Sequence, residues 1–310
     1  MSAMTDPTIT NQTENARHQH RLTLAGKFYG KKARYDDFVS PSPSAQSLHF
    51  YGGNGFATGI YDPLLKRLAQ TFAVTSLAMR GLWVDKPDVT KTPALTREQD
   101  ADALIQFLEQ TQDEPVIGVG HSQGATATAL ACAKRPDLFS HLILLEPVTF
   151  TKRQKILYDL MPRAIKHRAE PFKGTLVKQY QWASVSDYYN DLRAHRGYRR
   201  ISDEHLRIFA ENSLNEQSDG TFILKFSPEQ ELANYHGTPF ITDALKKLNK
   251  LGKPYHIVLG KPSVFVGDKV RKSWQGIVAD DDLTILPDYG HLLPMEAPDV
   301  CADIVLKQTR

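Results

Sequence analysis

Short apolar runs alternate along the chain with longer stretches whose apolar positions recur at helical spacing. Arg21–Phe28, Ala33–Phe38 and Ser47–Tyr51 read as early strands. Phe72–Leu77, Pro115–Val119, His141–Leu145, Tyr255–Leu259 and Leu283–Leu286 follow as later ones. Between them, Asp62–Ala69, Leu95–Gln110, Ala125–Lys134, Phe240–Leu251 and Val300–Lys307 read as helices. Pro63 suits a first helical turn, where its missing N–H has no partner to lose. Thr96 followed by Gln99 has the form of a capping box at the start of the Leu95–Gln110 helix. Strand-like runs alternating with helix-like ones predict an α/β fold, a mostly parallel central sheet with helices on both faces.

The pattern changes after Glu146-Pro147. From Val148 to about Tyr235 the sequence is helical, charged and aromatic, with no strong buried-strand run. Basic residues outnumber acidic ones between positions 151 and 200. The expected organisation is a flexible leader over residues 1–20, a core from residues 21–147 and 237–310, and an inserted helical cap over residues 148–236.

Composition narrows the function. The 310 residues are 41% hydrophobic and 24% charged, ordinary for a globular chain. A formal charge of +3 gives no reason to expect nucleic acid as a partner. Cys132 and Cys301 are too few for a disulfide framework and lack metal-ligand spacing, so no metal is expected. Residues 1–21 carry no apolar signal segment, and no apolar run reaches the length of a membrane span. The expected setting is cytoplasmic. A small-molecule substrate is the expected partner, with self-association left open.

Chemistry concentrates at Gly120-His121-Ser122-Gln123-Gly124, which has the G-x-S-x-G form of a nucleophile elbow between a β-rich run and a small-residue helix. Such a turn is so tight that its flanking positions require glycine, and it lifts the serine hydroxyl above a helix N-terminus. A serine hydroxyl needs a base to take its proton. His291, in Gly290-His291 after the last strand-like run, occupies the expected position. His121 neighbours Ser122, but its side chain is expected to point away from the elbow tip. None of the glycine-rich loops matches a dinucleotide fingerprint, and no cofactor is implied.

With these landmarks, and with Arg80-Gly81 and the Glu296-Ala297-Pro298 tail, the chain resembles the α/β-hydrolase superfamily from about residue 25 to its end. Gly52-Gly53-Asn54-Gly55-Phe56 is similar to the His-Gly-Asn-Gly-Phe loop of a subgroup with a helical cap, with Gly52 in place of its histidine. The resemblance implies a serine hydrolase with an oxyanion hole made by the backbone N–H groups of Asn54 and Gln123. It also exposes a departure. In most of the superfamily the triad acid is an aspartate after the strand that here is Tyr255–Leu259, and this chain has Ser263 there. A second arrangement places the acid at the end of the preceding strand, where this chain has Glu146. Glu146 is therefore the expected acid, with Asp268 as its rival.

Asp288 and Glu296, which flank His291, are expected to anchor its loop. Hydrolysis of a small carboxyl ester, lactone or thioester through an acyl-serine is the expected reaction. A slow-turnover binding protein on the same fold and an acyltransferase are the alternatives. Phe56, Trp83, Phe150, Trp182, Tyr188 and Tyr189 are candidates for the pocket wall.

Overall fold

The computed structural model describes residues 21–28, 30–91, 94–263 and 265–309. The leader expected over residues 1–20 lies outside them. An eight-stranded sheet runs through the centre in the order β1 (Arg21–Phe28), β2 (Lys31–Phe38), β4 (Ala73–Leu77), β3 (Ser47–Tyr51), β5 (Val116–His121), β6 (Phe139–Leu145), β10 (Tyr255–Gly260) and β11 (Leu283–Leu286). The pairings from β4 through β11 are parallel, and the β1–β2 hairpin joins β4 in antiparallel fashion.

The sheet is buried on both faces because its strands alternate between two apolar layers. On β6, Leu142 and Leu144 enter one layer, and Ile143 and Leu145 enter the other. The first layer is completed by α2 (Arg97–Thr111), α3 (Gln123–Lys134) and α10 (Thr242–Lys250). The second is completed by α1 (Asp62–Leu68), α12 (Leu293–Glu296) and α13 (Pro298–Gln308). The capping box at Thr96 and Gln99 is formed, with both reciprocal hydrogen bonds present. α3 is built almost entirely from small residues, so its backbone packs closely on the sheet.

The segment between β6 and α10 contains α4 (Lys152–Leu160), α5 (Arg163–Lys166), α6 (Phe172–Leu176), β7 (Gln181–Trp182), α7 (Val185–Ala194), α8 (Asp203–Ser213), β8 (Leu214–Glu216), β9 (Phe222–Leu224) and α9 (Pro228–Tyr235). The sequence predicted helices alone here. A three-stranded antiparallel sheet, β7-β9-β8, is present as well. Its strands span two or three residues each, too short to leave an alternating pattern in the sequence. Ser184, Ser202 and Ser227 cap their helices by accepting the backbone N–H three residues on. Among the described residues, eight of the twelve large exposed hydrophobics fall between Ile156 and Tyr180.

Candidate active site

Four loops at the carboxyl ends of β3, β5, β6 and β11 converge, as expected of a parallel α/β sheet. The turn between β5 and α3 places Ser122 at φ 55°, ψ −118°, a conformation that an L-residue holds only under constraint. The flanking glycines supply that constraint. A Cβ on Gly124 would lie 2.0 Å from the Tyr51 carbonyl oxygen, and one on Gly120 would lie 2.6 Å from the backbone of Ala125. Neither neighbour is able to move, because each is main chain.

Ser122, His291 and Glu146 form a hydrogen-bonded row. His291 Nε2 lies 3.0 Å from Ser122 Oγ, and His291 Nδ1 lies 3.1 Å from Glu146 Oε2. Glu146 is fully buried at the end of β6, with φ 48°. Its Oε1 accepts the Gly260 N–H at 2.6 Å, and its Oε2 also accepts the Ser263 hydroxyl at 2.8 Å. Ser263 in turn accepts the Val266 N–H at 3.0 Å. The serine at the superfamily's usual acid position is thus a donor to the carboxylate on the neighbouring strand. Both oxygens of this buried carboxylate are occupied by donors. Asp268 is exposed at the start of α11 (Asp268–Ser273) and pairs with Arg271. A hydroxyl bonded to an imidazole whose other nitrogen meets a carboxylate can surrender its proton as it attacks a carbonyl.

Asn54 and Gln123 line the same cavity as Ser122 and His291. Neither backbone N–H has a partner among the described residues. Their side chains are tied together: Asn234 Nδ2 donates to Asn54 Oδ1 at 3.0 Å, and Gln123 Nε2 donates to Asn234 Oδ1 at 2.9 Å. Asn54 Nδ2 donates to the Glu231 carbonyl at 3.0 Å, so α9 fixes this loop from above. Gln123 also donates to Asp100, whose other oxygen takes Arg80 Nε at 2.7 Å. Asp100 and Arg80 are both buried, and this pair anchors the first residue of α3.

His121 is not idle. Its Nε2 donates to the His291 carbonyl at 2.8 Å, which leaves Nδ1 bare to accept the Tyr61 hydroxyl at 2.8 Å. Tyr61 oxygen accepts the Gly53 N–H at 2.8 Å. One imidazole therefore links the loop carrying Asn54 to the loop carrying His291. Burial holds this imidazole neutral, with its pKa pulled down to about 3. Tyr61 also accounts for Gly52, since a Cβ there would press 3.0 Å from the Tyr61 ring. Glu296 accepts the Gly290 N–H and holds the His291 loop from within it, while Asp288 is exposed.

A cavity of about 490 Å³ opens above Ser122 and His291, walled by the carboxyl-end loops and by α4 to α6 and α9. Of the aromatic residues expected in its wall, Phe56 and Phe150 are there. Trp83 is instead buried under the β2–β4 edge, donating to the Ala78 carbonyl at 2.7 Å. Trp182 and Tyr188 pack at a tilt of 49° with ring centroids 4.4 Å apart, and Tyr189 packs nearby, outside the cavity wall. The wall also contains Arg97, Tyr158, Lys166 and Tyr235, none of them foreseen. Arg97 opens a helix and the others sit in charged helical stretches, so in the sequence they have the pattern of solvent-facing residues.

Among the described residues no group of three or more His, Cys, Asp or Glu side chains is placed to hold a metal ion. Among the described residues no helix is long and apolar enough to cross a membrane. Burial pushes the Cys132 thiol up to about 12, as befits an inert core residue.

The fold has counterparts. The Alternaria alternata abhydrolase domain-containing protein ACTT2 is 26% identical over 226 residues, covering 62% of this chain and 82% of that one. The 2-(acetamidomethylene)succinate hydrolase of Mesorhizobium japonicum is 22% identical over 269 residues, covering 84% and 87%. The crystal structure of an E-2-(acetamidomethylene)succinate hydrolase superposes with a TM-score of 0.76 at 19% identity, over 94% of this chain and 99% of that one. The family model described as the alpha/beta hydrolase family matches residues 48–304, a span that runs from β3 into α13 and takes in the elbow, Glu146 and His291. With that match added to the sheet order, the chain belongs to the α/β-hydrolase family.

Proposed function

We propose that this hydrolase cleaves a small carboxyl ester, lactone or thioester through an acyl-enzyme on Ser122. The observation that supports this most directly is the single imidazole of His291 within hydrogen-bond reach of both Ser122 and Glu146. In this reading Ser122 attacks the carbonyl while His291 takes its proton, and Glu146 fixes the imidazole's tautomer and stabilises the imidazolium. The backbone N–H groups of Asn54 and Gln123 receive the developing oxyanion, helped by the positive end of α3. His291 then returns the proton to the leaving group, and water repeats the sequence to release the acid. The segment over residues 148–236 acts as a cap that roofs the pocket and selects the substrate.

The test is labelling by a fluorophosphonate probe. Wild-type protein is expected to label at one site, and Ser122→Ala and His291→Ala are expected to abolish it. Glu146→Gln is expected to slow labelling strongly, whereas Asp268→Asn leaves it unchanged. A folded wild type that fails to label removes the acyl-serine reading.

A further inference from the structure

Arg97 is an uncompensated buried cation in the cavity wall. It is 4% exposed, and among the described residues no carboxylate lies within 4.0 Å of its nitrogens. Its Nη1 donates to the Asn234 carbonyl at 2.8 Å, while its Nε–H is buried without a partner. Removing a guanidinium from water is costly unless ion pairing and hydrogen bonds repay it.

The neighbouring groups do not repay it. Asp100, the carboxylate whose field reaches Arg97, already serves Arg80 and Gln123 with its two oxygens. The Tyr158 hydroxyl donates to the Tyr235 carbonyl, and the Tyr235 hydroxyl donates to Glu231 Oε1. Lys178 takes the other Glu231 oxygen at 2.6 Å, so that pair is neutral. Glu170, at the rim, is exposed and accepts the Gly174 N–H at 3.0 Å. Lys166 adds a second cation, buried and 3.9 Å over the Tyr158 ring.

We infer that Arg97, assisted by Lys166, forms an anion-binding end of the pocket, and that the substrate is an acyl compound carrying a second, free carboxylate. Resting on the acyl-serine reading above, the inference names the substrate class of the same site. A planar guanidinium pairs with a carboxylate through parallel hydrogen bonds, and it is less strongly hydrated than an ammonium. The placement also sets the register. Arg97 holds the main chain of Asn234, whose side chain bridges Asn54 and Gln123. A carboxylate seated on Arg97 is therefore held at a fixed distance from Asn54, Gln123 and the neighbouring Ser122, and the chain length between the two carboxyl carbons becomes selective.

The test uses monoethyl esters of glutarate, adipate and pimelate beside neutral ethyl alkanoates of matching length, followed by proton release. Wild type is expected to favour one half-ester over its neutral counterpart by about tenfold or more in kcat/KM. Arg97→Gln is expected to raise KM for that half-ester by about tenfold more than for the neutral ester, the loss of the Asn234 contact being common to both, which is the pattern of lost substrate binding. Arg97→Lys is expected to recover part of the loss. Equal losses on both ester classes would make Arg97 a structural residue and overturn the inference.

Should Arg97→Gln fail to fold, free adipate and glutarate are tested against neutral-ester hydrolysis by wild type. Salt-sensitive competitive inhibition is expected, and its absence overturns the inference. Calorimetric titration of Ser122→Ala with adipate separates the two readings. Binding by a protein whose wild type never labels supports the subsite and sinks the acyl-serine mechanism. Labelling without any dicarboxylate binding sinks the subsite alone.

Discussion

The carboxyl end of the sheet and the α4–α6 face sit on either side of one cavity and are built on opposite terms. At the sheet end, Glu146 and His121 are fully buried, Ser122 nearly so, and every hydrogen-bonding atom of the Glu146 and His121 side chains has a partner. Across the cavity, Leu160 is 76% exposed and Val177 81%, and the Lys166 ammonium lines the cavity with no carboxylate within 4.0 Å among the described residues. The first region gains accuracy because each group is over-determined by several neighbours. The second contributes shape and charge while its outer face is held by few contacts. On the proposed function, reaction geometry is concentrated where partners are many, and substrate choice where they are few.

The contrast breaks most sharply at Glu146. Glu146→Gln keeps the volume and the Gly260 contact but removes the charge, and kcat is expected to fall by about 10⁴ with the fold retained. Steady-state kinetics with circular dichroism on the same sample check this. His121→Phe keeps the ring that stacks on Phe56 but cuts the link between the Gly53 and His291 loops. Because small misplacements of reacting groups are costly, kcat is expected to fall roughly 100-fold. Urea unfolding should also register a loss of about 1–3 kcal/mol from the unpaired Tyr61 hydroxyl and His291 carbonyl.

Acid provides a gentler probe of the same region. His49 and His121 are held neutral, their pKa values pulled down to about 3 by burial. The unfolded chain binds more protons between that value and the ordinary histidine value near 6.5. Stability is expected to be level above pH of about 6.5 and to fall as the pH drops toward about 3. Denaturant midpoints measured across that range should show the decline, and His121→Phe should make it shallower. The smallest effect belongs to the other region. Leu160→Glu combined with Val177→Glu is expected to shift stability by less than about 0.5 kcal/mol for each substitution, because neither side chain is buried. A thermal melt that dropped by many degrees would show that this face is packed against something.

The same contrast explains what the sequence disclosed. Ser47–Tyr51 and Leu283–Leu286 matched their strands residue for residue, because their apolar runs end at turn residues that leave little freedom. The elbow was legible because Gly120 and Gly124 meet main chain that cannot retreat, so the motif and the geometry are one constraint. The pairing of Glu146 with Ser263 was half visible: the missing aspartate could be read, but a hydroxyl donating to a carboxylate on the adjacent strand is a contact between residues 117 positions apart. Arg97 and Tyr235 gave no sign at all. Whether a helical arginine meets solvent or a cavity depends on what folds over it, and local periodicity carries no record of that.

The bridge through Asn234 also bears on how such a protein can be recombined. Asn234 belongs to α9, yet its amide joins Asn54 to Gln123, and the Glu231 carbonyl holds Asn54 from the same helix. The segment between β6 and α10 is thus not an interchangeable part. A chimera that imports the covering helices of another hydrolase removes a brace from the loops beneath, unless the graft restores an amide at the Asn234 position. On the proposed function, substrate range and catalytic rate in this scaffold are inherited together.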